Sequence, residues 1–224
     1  PSGSTFPVGT TPVIVTVTDA SGNQSQCSFN VTVKDVEAPV INCPADVVVA
    51  NDAGLCQALV NFTVPATDNC TVPGNIIFTY SQNPGTIFPV GTTPVTVTAE
   101  DEAGNISSVC TFNVIVNDTE KPVVTCPANI SVSNATGLCS AIVNFAATAT
   151  DNCTAPANIT FTYSQNPGTS FPVGTTVVTV TATDEANNTS TSCSFNVTVN
   201  DTEIPVVTCP ANISVSNATG LCSA

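Results

Sequence analysis

Two kinds of residue in this 224-residue chain could do chemistry: 11 cysteines and 16 carboxylates. Histidine and tryptophan are absent, and Lys34 and Lys121 are the sole basic residues. Cysteine can hold a metal, act as a nucleophile or cross-link. Zinc would call for CxxC pairs or mixed Cys/His clusters, and neither occurs. A nucleophilic thiol wants a base beside it, and without histidine that base is missing. Cross-linking in an oxidising, extracellular or cell-surface setting is the chemistry left.

The carboxylates gather in a few short stretches: Asp35 with Glu37, Asp68, Asp101 with Glu102, and then Asp118 with Glu120, Asp151, Asp184 with Glu185. Such groups on loops suit Ca²⁺, which takes six to eight oxygens at flexible distance. The plainer reading is that Asp and Asn stand there as solvated turn formers, since no DxDxDG-type loop is present. Catalysis finds little support: the acids sit in turn sequences rather than an apolar cleft, and there is no phosphate loop or cofactor motif. The expectation is a protein that is not an enzyme, with Ca²⁺ as the one candidate cofactor.

The spacing reveals the organisation. Cys27, Cys110 and Cys193 stand 83 residues apart, as do Cys43, Cys126 and Cys209; Cys56, Cys139 and Cys222; and Cys70 and Cys153. This is a tandem array. Asp118–Ala141 returns as Asp201–Ala224 with one change, Lys121 to Ile204. Such copying suits a module multiplied for length or valency. Two complete repeats are read at Asp35–Asn117 and Asp118–Asn200, with partial repeats at Pro1–Lys34 and Asp201–Ala224. Both ends fall within a repeat, so the chain is read as a window on a longer one.

Net charge is −14, which excludes a nucleic-acid surface and argues against anionic membranes. No apolar run reaches the roughly 20 residues a spanning helix needs. With 42% hydrophobic and 8% charged residues, the chain can bury a core.

Within Asp118–Asn200 the apolar period is two. Cys126–Val132, Cys139–Phe145, Ile159–Tyr163, a short strand and corner at Phe171–Gly174, Val178–Ala182 and Cys193–Val199 read as strands. Asp184–Asn188 reads as a hairpin turn, with Asn187 where its counterparts carry Gly104 and Gly22. Six short strands rich in Thr and Val in about 80 residues indicate a small antiparallel β-sandwich. Each repeat would span roughly 35–40 Å. On such a sandwich the three acidic stretches converge at one pole, facing the preceding repeat.

The run Pro122-Val123-Val124-Thr125-Cys126-Pro127-Ala128-Asn129-Ile130 resembles the opening of a hyalin (HYR) repeat. So do Ala149-Thr150-Asp151-Asn152, Phe171-Pro172-Val173-Gly174-Thr175-Thr176 and the closing Cys193-Ser194-Phe195-Asn196-Val197-Thr198-Val199. The likeness covers the whole chain in register. It implies tandem immunoglobulin-like sandwiches in extracellular and surface proteins linked to adhesion. The four-cysteine form is similar to repeats of long bacterial surface and gliding-motility adhesins. The resemblance also favours Cys43–Cys110 and Cys126–Cys193 as disulfides. That leaves Cys56–Cys70 and Cys139–Cys153, or a bridge between repeats from Cys56 to Cys153. The expected partners are neighbouring repeats, other copies in a fibre, and a glycan or protein ligand. The leading role is a disulfide-stiffened adhesin stalk, with a self-assembling filament or a loop-based binding module as alternatives.

Overall fold

The computed structural model describes residues 3–223 and divides into two compact units, Pro1–Glu120 and Lys121–Ala224. In the first, β1 (Gly9–Thr18) and β2 (Gln24–Val33) form an antiparallel hairpin. Then follow β3 (Val40–Ile41), β4 (Val47–Ala50), β5 (Gln57–Val60), β6 (Ala66–Thr67), β7 (Ile77–Tyr80), β8 (Thr86–Pro89), β9 (Gly91–Glu100) and β10 (Cys110–Asn117). One layer is a four-stranded sheet in the order β4-β10-β9-β7, in which β4 runs parallel to β10 and the other pairs are antiparallel. The antiparallel pairs β5-β8 and β3-β6 make the opposing face. The fold is an all-β immunoglobulin-like sandwich.

The core follows from the alternation. Val95, Val97, Phe112, Val114 and Val116 point inward from β9 and β10 and meet Ala58, Val60 and Phe88 from β5 and β8. Aromatic rings fill the middle in place of tryptophan: Phe62 meets Phe112 edge-on at 5.0 Å between ring centres.

The second unit repeats the plan with β11 (Val123–Thr125), β12 (Ile130–Ser133), β13 (Ser140–Val143), β14 (Thr148–Thr150), β15 (Thr160–Tyr163), β16 (Thr169–Pro172), β17 (Gly174–Thr183) and β18 (Cys193–Asn200). Its main sheet runs β12-β18-β17-β15. The short pair β11-β14 has no counterpart among the six expected strands, because two- and three-residue strands leave too little alternation to read. The β17–β18 connection turns at Asn187, whose φ of 69° is the left-handed value that glycine supplies at Gly104.

Disulfides join Cys43 to Cys110 and Cys126 to Cys193, each tying the start of a repeat to its last strand. Cys56 and Cys153 are also disulfide-bonded, whereas Cys70 and Cys139 are free thiols. The pairings Cys56–Cys70 and Cys139–Cys153 are therefore corrected. Cys139 precedes β13 and Cys153 follows β14, and the chain between them is largely extended. At about 3.3 Å per residue it holds the two cysteines far beyond the roughly 7 Å that a disulfide spans.

Candidate functional site

Three of the flagged carboxylates come together in the first unit. Asp35 from the segment after β2, Asp68 from the loop after β6 and Asp101 from the turn after β9 each offer an oxygen, all within 4.8 Å of one another. Each is placed by its own turn. The Asp35 carboxylate accepts the Glu37 N–H at 3.2 Å. Asp68 Oδ2 accepts the N–H groups of Cys70 (2.9 Å) and Thr71 (2.8 Å). Asp101 Oδ1 accepts from the N–H groups of Ala103 and Asn105, and Oδ2 from the Asn105 side chain. These are the Asx turns that a chain rich in Asp and Asn forms locally. The same three ligand groups recur one period on as Asp118, Asp151 and Asp184.

The electrostatics favour a cation. Asp101 is 4% exposed. Burial pushes its carboxyl up, but donors from Asn105, Ala103 and Gly104 outweigh that, so it titrates below the ordinary aspartate range. Asp68 Oδ1 is sealed from solvent and receives no hydrogen bond, and Asp151 Oδ1 is in the same position. A sealed carboxylate oxygen with no donor, beside two more carboxylates, is costly unless a cation or a proton joins it. Cys70 shares this field: burial first, then Asp35 and Asp68, raise its thiol pKa. It is consequently a poor nucleophile. A cleft of about 380 Å³ lined by Val8, Asp35, Cys70, Thr71, Glu102 and Ala103 opens beside the trio.

The flagged glutamates lie elsewhere. Glu37 accepts from the Asn69 side chain at 2.7 Å, Glu102 from Asn75 at 2.9 Å and Glu185 from Asn158 at 3.1 Å. Glu120 accepts the Gly54 N–H at 2.7 Å, at the far end of its own unit from the Asp35 trio. That contact belongs to a feature sequence reasoning missed. Asn51 Oδ1 accepts both the N–H (3.0 Å) and the hydroxyl (3.2 Å) of Thr119, so the segment leaving β10 is clamped to the β4–β5 turn. In the second unit Asn134 holds Thr202, and Gly137 holds Glu203 at 2.6 Å. The signal was available: Asn51, Asn134 and Asn217 recur at the repeat period, and Thr-Glu recurs at 119–120 and 202–203.

The HYR domain model matches residues 1–33, 34–116 and 117–199, most of the chain. The chain belongs to the HYR family. It is 38% identical over 227 aligned positions to hyalin of Strongylocentrotus purpuratus and 35% identical over 217 to hyalin of Lytechinus variegatus, covering 98% and 92% of this chain. It spans only 19% and 40% of the length of those hyalins. The sushi, von Willebrand factor type A, EGF and pentraxin domain-containing protein 1 of Rattus norvegicus is 34% identical over 86% of the chain, which covers 5% of that protein. In both full HYR domains here the first and fourth cysteines of the repeat are bonded across the body.

Proposed function

We propose that these HYR domains form a non-catalytic, stiffened stalk segment of an extracellular, adhesion-related protein. The observation that carries the reading is the clamp on the segment leaving each repeat. Thr119 and Glu120 are hydrogen-bonded back to Asn51 and Gly54, and Thr202 and Glu203 to Asn134 and Gly137, so the segment leaving each repeat is held to that repeat. Disulfide-stapled bodies joined by clamped connections supply reach, and repetition supplies multivalency. The relationship to hyalins and the disulfides, which persist in oxidising compartments, support the extracellular setting. Electron microscopy of the native protein under non-reducing conditions tests it. A thin string of beads at one-repeat spacing is expected; a thick ordered filament would replace the stalk with an assembling fibre. Saturable glycan binding at one loop face would end the stalk as the sole role.

Ca²⁺ at the Asp35, Asp68 and Asp101 trio belongs to the same proposal. The trio links the entering segment to two loops of the repeat, so an ion there would stiffen the entry as the clamp stiffens the exit. Support comes from the buried, undonated Asp68 Oδ1 and the depressed Asp101. Hard carboxylate oxygens suit Ca²⁺ or Mg²⁺, and the irregular loop geometry favours Ca²⁺. Calcium titration by calorimetry, with chelated protein as control, is expected to show saturable binding. No heat and no rise in melting temperature would remove the ion and leave the stalk.

A further inference from the structure

We propose that the Cys43–Cys110 staple makes β10 the tension-bearing member of the first complete repeat, so that a pull along the chain passes through the bond and that one strand and bypasses the folded body. That a pull exists follows from the stalk reading, on which this proposal rests. The bond joins cysteines 67 residues apart in sequence, with 5.6 Å between their α-carbons. It closes 44–109 into a loop. Of the 83 residues of the repeat, only 17 stand in line with a pull: 35–43, which enter, and the eight of β10, which leave.

The placement of the strand agrees. β4 runs parallel to β10, with Val47 opposite Val114 and Ala50 opposite Asn117. Cys43 is bonded to the first residue of β10, and the chain leaves the repeat at the last. A strand rises about 3.3–3.4 Å per residue, close to the ~3.5 Å of a fully pulled chain, so β10 has almost no slack to give. It lies between β4 and β9, hydrogen-bonded on both sides. Its core partners Ala58, Val60, Phe88, Val95 and Val97 all belong to the closed loop and carry no tension. What slack there is resides in 35–43, held by the two-residue pairing of β3 with β6. The second unit has the same connection within itself, with Cys126–Cys193 feeding β18 between β12 and β17.

The consequence is a repeat that can lose its fold without gaining length. At about 3.5 Å per residue the in-line segments of a stapled repeat reach roughly 60 Å when fully pulled, against roughly 290 Å for an unstapled one. Melting the core would lengthen an unstapled sandwich severalfold and leaves the stapled one nearly as long as before. The staple thus fixes reach as well as stability.

The test is single-molecule stretching of the full chain, held at its two ends through non-thiol linkages, with and without a phosphine reductant. Before reduction the end-to-end length at high force is expected to stop near roughly 320 Å, because 44–109 and 127–192 stay closed, and denaturant should not raise it. Reduction should release about 460 Å more, the length held in those two loops. A chain that reaches roughly 780 Å in denaturant without reductant, or that gains nothing on reduction, would overturn the proposal. The stalk reading fails separately: a thick filament in electron microscopy would end the stalk and leave the stretching result standing, whereas stapled repeats that extend in full would remove the tension path and leave the string of beads.

Discussion

Two adjoining segments of the second repeat, the strand Ile130–Ser133 and the turn Asn134–Leu138, are specified in different ways. The strand lies parallel against β18, paired with residues far along the chain. The local features behave otherwise. Asn134 caps its turn through the Leu138 carbonyl at 2.9 Å, and Asn217 does the same through that of Leu221 at 2.6 Å. Turn chemistry is written into neighbouring residues, while a strand of four exists only as half of a pair.

The two complete repeats sharpen the lesson. Asp46 Oδ1 accepts the Asn113 N–H at 2.8 Å, and in the next repeat Asn129 Oδ1 accepts that of Asn196 at the same distance. There only an acceptor is needed. At the trio the residue is aspartate in both repeats, where charge is what a cation would require. Pro65 and Thr148 show a backbone effect: Pro65 has no N–H, so β3–β6 pairs two residues where β11–β14 pairs three.

These contrasts can be broken in order of size. Cys126→Ser opens a staple spanning 67 residues and should cost about 4 kcal/mol in denaturant unfolding of its repeat, whereas Cys139→Ser, at an exposed free thiol of the same repeat, should cost nothing measurable. Equal losses would mean that Cys139 is bonded as well. Asp68→Asn should abolish any Ca²⁺-induced rise in the melting temperature of the first repeat, while Asp46→Asn should leave that rise intact; a shared loss would detach the ion from the trio. Acid should separate the repeats too. The Asn113 backbone and side-chain donors hold Asp46 below its ordinary value, so its contribution is full above about pH 4 and is lost as pH falls through the lower folded value. Asn129 does not titrate. Acid unfolding of the first repeat should therefore become less steep in Asp46→Asn, and an unchanged profile would refute the assignment. The smallest effect is Pro65→Thr. A restored ladder bond of roughly 0.5–1.5 kcal/mol is set against the lost rigidity of proline, so stability should hardly move. Hydrogen exchange should nonetheless show the new amide protected.

Much of this was legible in the chain. The 83-residue period, the alternation that buries Val95, Val97, Val114 and Val116, and the turn at Asp184–Asn188 all follow from local residue types. The acid stretches at Asp35, Asp68 and Asp101 could be flagged, but which carboxylates meet could not. Glu37, Glu102 and Glu120 lie as close in sequence as the aspartates and were drawn off by Asn69, Asn75 and Gly54. Long side chains reach several donors, and only the folded backbone selects among them.

The sequence by itself determined the repeat, the strand period, the oxidising chemistry and the turn caps, because each depends on residues a few positions apart or on a period that can be counted. Tertiary structure decided which cysteines pair across 67 residues, which carboxylates meet within 4.8 Å of one another, and which strand lies beside Ile130–Ser133. Those outcomes depend on what stands opposite in space, and a strand, a disulfide and an ion site each need a second surface that local sequence does not contain.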